Sequence, residues 1–257
     1  MIIPGMVSAT FKTRTPEDVL SVLQKAGLAA IEWSENWHIP PGDPGAAACL
    51  REKTLAQGAE IAAYGSYYRL GQSTNPERDF WPSLQNAAAM HAPLIRIWGG
   101  ATPSAELSAD DRAALAREAG TVSAMAADLG VKVALEWHKN TVTDTNVSAA
   151  RFREEAYAEN LYCLWQPTVA LSLDERCAGL DLLTQRGRLL NLHVYYWKEG
   201  KRRPFAEGCA QWERYLQHVD PAQTRYGLLE FVMGDSEEQF LADARQWKQL
   251  LNNTHHR

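Results

Sequence analysis

The stretch VKVALEWHKN, residues 131–140, has the alternation of a buried strand that ends on charge. Side chains of a strand alternate with period two, so Val131, Val133 and Leu135 face one way and Ala134, Glu136 and His138 the other. A buried charge is costly unless it is paired or bound to a metal. Either both polar groups lie past the strand end in solvent, or the strand end is a site. The neighbouring segments decide between these readings. Short apolar runs ending near Val7, Trp33, Tyr64, Trp98, Glu136, Gln166, Tyr195 and Phe231 alternate with longer segments of helical period.

Those longer segments carry readable start signals. Thr15-Pro16-Glu17-Asp18 offers an N-cap, a proline in the first turn and acids where the helix dipole favours them. Ser108-Ala109-Asp110-Asp111 does the same for an alanine-rich helix stopping at Gly130, and Asp235-Ser236-Glu237-Glu238 opens a last helix reaching about Leu251. Gly27 and Gly58 mark further helix stops. Eight strand–helix alternations, with no composition break or Ser/Gly linker, predict the α/β class: a single (β/α)8 TIM barrel, one domain over residues 1–257. A doubly wound open sheet is the alternative, but no GxGxxG turn follows the first strand, and Gly99-Gly100 reads as a loop.

With 257 residues, 46% of them hydrophobic, the chain buries a large core without staples. The net charge of -5 argues against a nucleic-acid partner, since chains that grip phosphate backbones carry a basic excess or stripe. The one dense basic run, Lys198 to Arg203, is short, interrupted by Glu199, and reads as a solvated loop. Cys49, Cys163, Cys177 and Cys209 show no CxxC pair and no ligand-like spacing. The N-terminus lacks signal-peptide character, and no apolar stretch approaches the roughly 18 residues of a membrane span, so a reduced cytoplasmic protein is expected. The sequence leaves homo-oligomer formation open.

In a β/α barrel the active site lies at the C-terminal ends of the strands. The polar residues there are Glu32 with His38 in the following loop, Arg96, Glu136 and His138, Gln166, His193, and Glu230. If alternation points them inward, Glu136, Gln166, His193 and Glu230 converge from four successive strands. Two carboxylates, an imidazole and an amide oxygen are a plausible first shell for a divalent cation. Arg96 would neutralise Glu32 or Glu136, and Trp197 would form a hydrophobic wall for a sugar.

The segments GLAAIEW, IRIWGG, ALEWHKNTVTDT, NLHVYYW and LLEFV together resemble the xylose-isomerase-like TIM-barrel superfamily of sugar phosphate isomerases and epimerases, over nearly the whole chain. In that superfamily a fifth-strand Glu, a sixth-strand Asp, a seventh-strand His and an eighth-strand Glu bind one divalent metal. The two Glu residues also serve as acid and base. The resemblance thus implies Glu136 and Glu230 as catalytic residues and Glu136, Gln166, His193 and Glu230 as the metal set for Mn, Mg, Co or Zn. It implies His138 and His38 as substrate contacts and Arg96 as a group that polarises the substrate carbonyl, beside Trp197 as the sugar wall read from its strand-end position. The departure is at the sixth strand, where Gln166 and then Val169 stand in place of the superfamily's Asp and His. A neutral amide is a weaker ligand than a carboxylate, so metal affinity should fall.

The implied function is a sugar or sugar phosphate isomerase or epimerase, working by proton abstraction next to a carbonyl on a small-molecule sugar or polyol. A lyase or dehydratase on a keto-sugar or inositol derivative starts with the same step. A non-catalytic sugar-binding barrel is a third reading. A nuclease of the same fold would need a His-rich multi-zinc cluster and a basic groove, which seven His and an acidic chain do not supply.

Overall fold

The computed structural model describes residues 1–255. Its strands are β1 (Ile2–Val7), β2 (Ala30–Ser34), β3 (Glu60–Arg69), β4 (Leu94–Trp98), β5 (Lys132–Glu136), β6 (Leu161–Trp165), β7 (Leu189–Val194), the short β8 (Trp197–Lys198) and β9 (Lys201–Arg202), and β10 (Arg225–Leu229). Helices α1 (Pro16–Ala26), α2 (Glu35–His38), α3 (Pro44–Ala56), α4 (Pro76–Ala89), α5 (Ala109–Asp128), α6 (Asn146–Ala156), α7 (Leu173–Gln185), α8 (Cys209–Leu216) and α9 (Glu237–His255) alternate with them. The barrel order is β1-β10-β7-β6-β5-β4-β3-β2, and β1 pairs in parallel with both β2 and β10. That closure makes the fold a (β/α)8 TIM barrel.

The alternation read from the sequence sorts the strand residues into two environments. Ile95, Ile97, Val133 and Leu135 pack with helix residues such as Leu115, Ala119 and Val122 in the large outer core. Ala30, Ala62, Ala63 and Ala134 pack instead mainly with other strand residues, among them Val7, Leu94, Leu164 and Leu228, inside the barrel. An eight-stranded barrel is only just wide enough for side chains to fill, and four alanines leave the upper layer free for longer polar groups.

The helix starts are built as the sequence implies. Thr15 Oγ1 accepts from the Asp18 N–H at 3.2 Å, Ser108 Oγ from Asp111 N–H at 3.1 Å and Ser236 Oγ from Gln239 N–H at 3.2 Å. Gly27, Gly58 and Gly130 all take positive φ after helices.

Strand ends differ from expectation in ways that shape the site. β3 runs past Tyr64 to Arg69, with register shifts against β2 and β4. β6 stops at Trp165 and β10 at Leu229, so Gln166 and Glu230 stand just past the strand ends, the Glu230 N–H still donating to the Val194 carbonyl of β7 at 3.0 Å. Phe231 follows in the left-handed region, at φ 57°. The basic run after β7 is also more than a loop. Lys198 and Lys201 pair across a two-residue turn in which Glu199 and Gly200 both have positive φ, the geometry that suits a tight hairpin.

Gly65 on β3 shows how tightly that mouth is packed. A Cβ there would lie 2.5 Å from Glu32 Oε1 and 2.9 Å from Arg96 Nη2. Those atoms are pinned to each other, so they have little room to yield. Gly65→Ala should therefore cost about 1–3 kcal/mol, in the range of overpacked cores. Chemical denaturation checks it; a variant as stable as the parent would show that the Glu32–Arg96 pair is free to shift.

Candidate active site

Six polar side chains gather at the C-terminal ends of the strands: Glu32 from β2, Arg96 from β4, Glu136 from β5, Gln166 just after β6, His193 from β7 and Glu230 just after β10. Glu32 and His193 are fully buried, and Arg96, Glu136 and Gln166 are no more than 4% exposed. The alternation that places Val133 and Leu135 on the outside places Glu136 inside by the same period. The sequence-predicted Glu136, Gln166, His193, Glu230 and Arg96 are thus brought together. Glu32 joins them in a more central position than its sequence neighbourhood suggested.

Arg96 is the hub. Its Nη2 lies 3.3 Å from Glu32 Oε1 and its Nη1 3.3 Å from Glu136 Oε2. Nη1 also donates to the Ser66 carbonyl at 3.1 Å, while Ser66 Oγ donates to the Arg96 carbonyl at 2.5 Å. His193 bridges the same carboxylates from the other side. Its Nε2 is 3.1 Å from Glu32 Oε2, and its Nδ1 is 3.4 Å from Glu230 Oε2 and 3.9 Å from Glu136 Oε1. Gln166 Nε2 donates to Glu136 Oε1 and to the Trp137 carbonyl, both at 2.9 Å. Both amide hydrogens are therefore spent on acceptors, which fixes which end of the amide faces Glu136.

Burial opposes the charge on Glu32, Arg96 and His193, yet pairing overrides it. Burial alone would make the Glu32 carboxyl harder to ionise, but the charges and hydrogen bonds of His193 and Arg96 hold it below the usual carboxylate range. Burial likewise acts to lower the His193 pKa, and Glu32 and Glu230 beside it push it up instead, to about 10. His193 should then remain an imidazolium near neutral pH. A histidine raised on folding contributes stability that is fully present below its unfolded pKa and lost as pH rises through the folded one. The expected result is an imidazolium ¹⁵N signature for His193 at pH 8, with loss of that proton only towards pH 10. A neutral-ring spectrum at pH 8 would count against this network.

Above the cluster lies a cavity of about 90 Å3, lined by His138, Gln166, Thr168, Tyr195, Trp197 and Phe231 among others. At roughly 30 Å3 per water, it has room for a few heavy-atom groups of a small molecule. Tyr195, Trp197 and Phe231 pack edge to face around it. Several buried polar atoms here have no hydrogen-bond partner in the protein: Glu136 Oε2, His193 Nδ1 and Glu230 Oε2 in the cluster, which meet their charged neighbours only at 3.3 Å or more, and Thr168 Oγ1 and Trp197 Nε1 on the cavity wall. Buried polar groups are nearly always satisfied, so this concentration of open donors and acceptors points to a polar ligand. His138 sits at the rim against the Trp98 ring, with centroids 4.6 Å apart. His38 is placed otherwise: its nitrogens face Ser8 Oγ at 3.0 Å and the Phe11 carbonyl at 3.3 Å, and burial lowers its pKa.

The donor set bears directly on the expected metal. Among the described residues no group of three or more His, Cys, Asp or Glu side chains is arranged to hold a metal ion. Gln166 presents N–H groups at the corner where a ligand oxygen is needed, and the Arg96 guanidinium stands 3.3 Å from Glu136 Oε2. As arranged, these residues do not form a metal cage; two cationic side chains, Arg96 and His193, balance the carboxylates.

The carboxylates, imidazole and guanidinium of this closed β/α barrel gather at the C-terminal ends of its strands, the end at which such barrels carry their active sites. Residues 20–250 match the family model described as xylose isomerase-like TIM barrel, and the chain belongs to that family. No curated protein sequence matches it. Among solved structures it is similar to the "probable 3-DHS dehydratase AsbF" of Bacillus anthracis, with TM-score 0.77 and 17% identity over 96% of this chain and 99% of that one. It is similar to L-ribulose 3-epimerase at TM-score 0.74 and 12% identity, over 100% of this chain and 96% of that one. The IolI protein with a binding zinc atom aligns at TM-score 0.68 and 11% identity, over 98% of both chains. Identities this low establish the shared barrel and leave the reaction to the residues of this chain. No described helix is long and apolar enough to cross a membrane.

Proposed function

We propose that this protein is an isomerase or epimerase of a small sugar or sugar phosphate, acting by proton abstraction beside a carbonyl with Glu136 and Glu230 as the acid–base pair. The observation that carries this reading is that both carboxylates approach one imidazole nitrogen, His193 Nδ1, at 3.9 and 3.4 Å, and that the Oε2 of each has no hydrogen-bond partner in the protein. A carbonyl oxygen seated between Arg96 Nη1 and His193 Nδ1 would meet two cationic donors. One glutamate takes the proton from the adjacent carbon, and the enediolate oxygen is stabilised by charges already in place. The other glutamate returns a proton, to the opposite face in an epimerisation or to the neighbouring carbon in an isomerisation. Trp197 gives the sugar an apolar wall with an N–H to offer, His138 stands at the rim, and His38 is engaged with the Ser8–Phe11 turn that follows β1.

A second reading, elimination of water from a keto-sugar or related polyol, is favoured by one feature. His193, kept protonated by Glu32 and Glu230, is an acid within reach of a leaving hydroxyl. The test is incubation of the protein with a panel of ketoses, free and phosphorylated, in D2O, followed by NMR. Deuterium at the carbon beside the carbonyl supports proton abstraction; new sugar isomers or enone products separate the two readings. Thermal stabilisation by a sugar with no exchange would make the protein a sugar-binding barrel and end the enzymatic reading.

Gln166→Asp tests the place of a divalent metal in this function. The change puts a carboxylate where an amide now donates to Glu136 at 2.9 Å, and two such carboxylates need a proton or a cation between them. The variant should melt lower than the parent in chelator and recover with Mn²⁺, binding it more tightly than the parent by isothermal titration. Equal Mn²⁺ affinity in the two proteins would mean that Gln166 does not govern that corner.

A further inference from the structure

One cation at the mouth has no assigned work. Arg69 ends β3 beside Trp98, its register partner on β4. Its guanidinium lies 3.5 Å from the centroid of the Trp98 indole. Arg96 approaches the same ring at 6.0 Å, and His138 contacts it at 4.6 Å between centroids. The indole is thus a platform joining the buried cluster to the rim. Arg69 is half-buried, and the charges of Glu136 and Arg96 both act on it. Among the described residues no carboxylate lies within ion-pair distance of it.

That combination is unusual for an arginine this far out of water. Stacking on an aromatic face fixes the plane of a guanidinium while leaving its N–H fork free, the arrangement that suits planar, bidentate recognition of a carboxylate or phosphate. The Trp98 Nε1–H is itself buried without a protein partner. Other arginines near the mouth differ. Arg14 is held by Glu237 and Arg202 by Asp235, each at 2.6 Å. Among the described arginines near the mouth, Arg69 alone combines partial burial, a rigid seat and a free fork within the field of the Glu136 carboxylate.

We propose that Arg69 receives an anionic group of the substrate, a carboxylate or a phosphate, so that the molecule turned over is an acidic or phosphorylated sugar and not a neutral one. This rests on the proton-abstraction reading only in placing the other end of that molecule at Glu136 and Glu230. The anion would lie over the Trp98 rim while the carbonyl descends to Arg96 and His193, which sets the direction in which the chain of the sugar enters.

Binding is measured by isothermal titration of the intact protein at low salt with inorganic phosphate and, separately, glycolate. The parent should bind at least one. Arg69→Met should weaken that binding about 10- to 100-fold, the range expected for losing a charge-assisted hydrogen-bonded pair. Arg69→Lys, which keeps the charge but not the fork, should fall between them, and Arg202→Met should bind as the parent does. Phosphate alone binding assigns a phosphorylated substrate, and glycolate alone an acid sugar. Should Arg69→Met fail to fold, Arg69→Lys carries the comparison. No binding of either anion, equal binding by the Arg69 variants, or dependence on Arg202 in place of Arg69 overturns the inference. Because titration needs no turnover, it stands or falls separately from the deuterium-exchange test.

Discussion

Glu136→Gln and Glu230→Gln should each lower solvent-deuterium exchange into a keto-sugar by about 10²- to 10⁴-fold, the usual worth of a general acid or base, and leave the barrel folded. The amide keeps the shape of each side chain and removes the proton acceptor. The fold should tolerate it because three carboxylates, Glu32, Glu136 and Glu230, share two cationic partners, Arg96 and His193. Neutralising one carboxylate brings the cluster nearer to balance. Glu230 should be the milder change for stability, since its Oε2 has no hydrogen-bond partner in the protein. Glu136 accepts from Gln166, and a glutamine at 136 must keep its carbonyl oxygen towards that donor. Exchange assays run beside thermal melts check both halves. Persistent exchange in both variants, with a large fall in melting temperature, would leave these residues a structural role and remove them from the chemistry.

Much of this arrangement is legible in the sequence because it follows from short-range rules. Period-two alternation within VALE, NLHV and GLLE sends every second residue inside, and the capped helices between them require parallel strands and a common polar end. Glu136, His193 and Glu230 meet for that reason, and Gln166 joins them one residue past the end of β6. What the sequence hides depends on atoms far apart in the chain. That Gln166 turns its N–H groups inward is dictated by the Trp137 carbonyl and Glu136 Oε1, 29 and 30 residues away. The weight of Glu32 comes from His193, 161 residues distant, and from Arg96 through the gap left by Gly65. A signal for that did exist: a glycine inside a strand pattern marks close approach of another group. The free fork of Arg69 is a property of the extended end of β3, which apolar periodicity stops short of at Tyr64.

Arg96→Met should be the most destabilising single change in the site. The guanidinium is 4% exposed, and burial disfavours its charge, but Glu136 and Glu32 raise its pKa further above its ordinary value. Removing it leaves Glu32, fully buried, with His193 alone, and leaves Glu136 with only an amide donor. Breaking a buried pair from one side typically costs about 3–5 kcal/mol, because the surviving charge loses its compensation. For a chain of this size that corresponds to a fall in melting temperature of about 6–20 °C. On the proposed proton-abstraction chemistry a hydrophobic replacement also removes one of the two cationic donors to the oxyanion, so catalysis should fall by about 10²–10³ even in the folded fraction. Stability and catalysis can be told apart by restoring one and not the other. Adding Glu32→Gln to Arg96→Met removes the uncompensated carboxylate and should recover part of the lost stability, while exchange activity stays low. If the double variant melts no higher than Arg96→Met, the cost lies in lost packing of the arginine side chain and not in the charge it was there to meet.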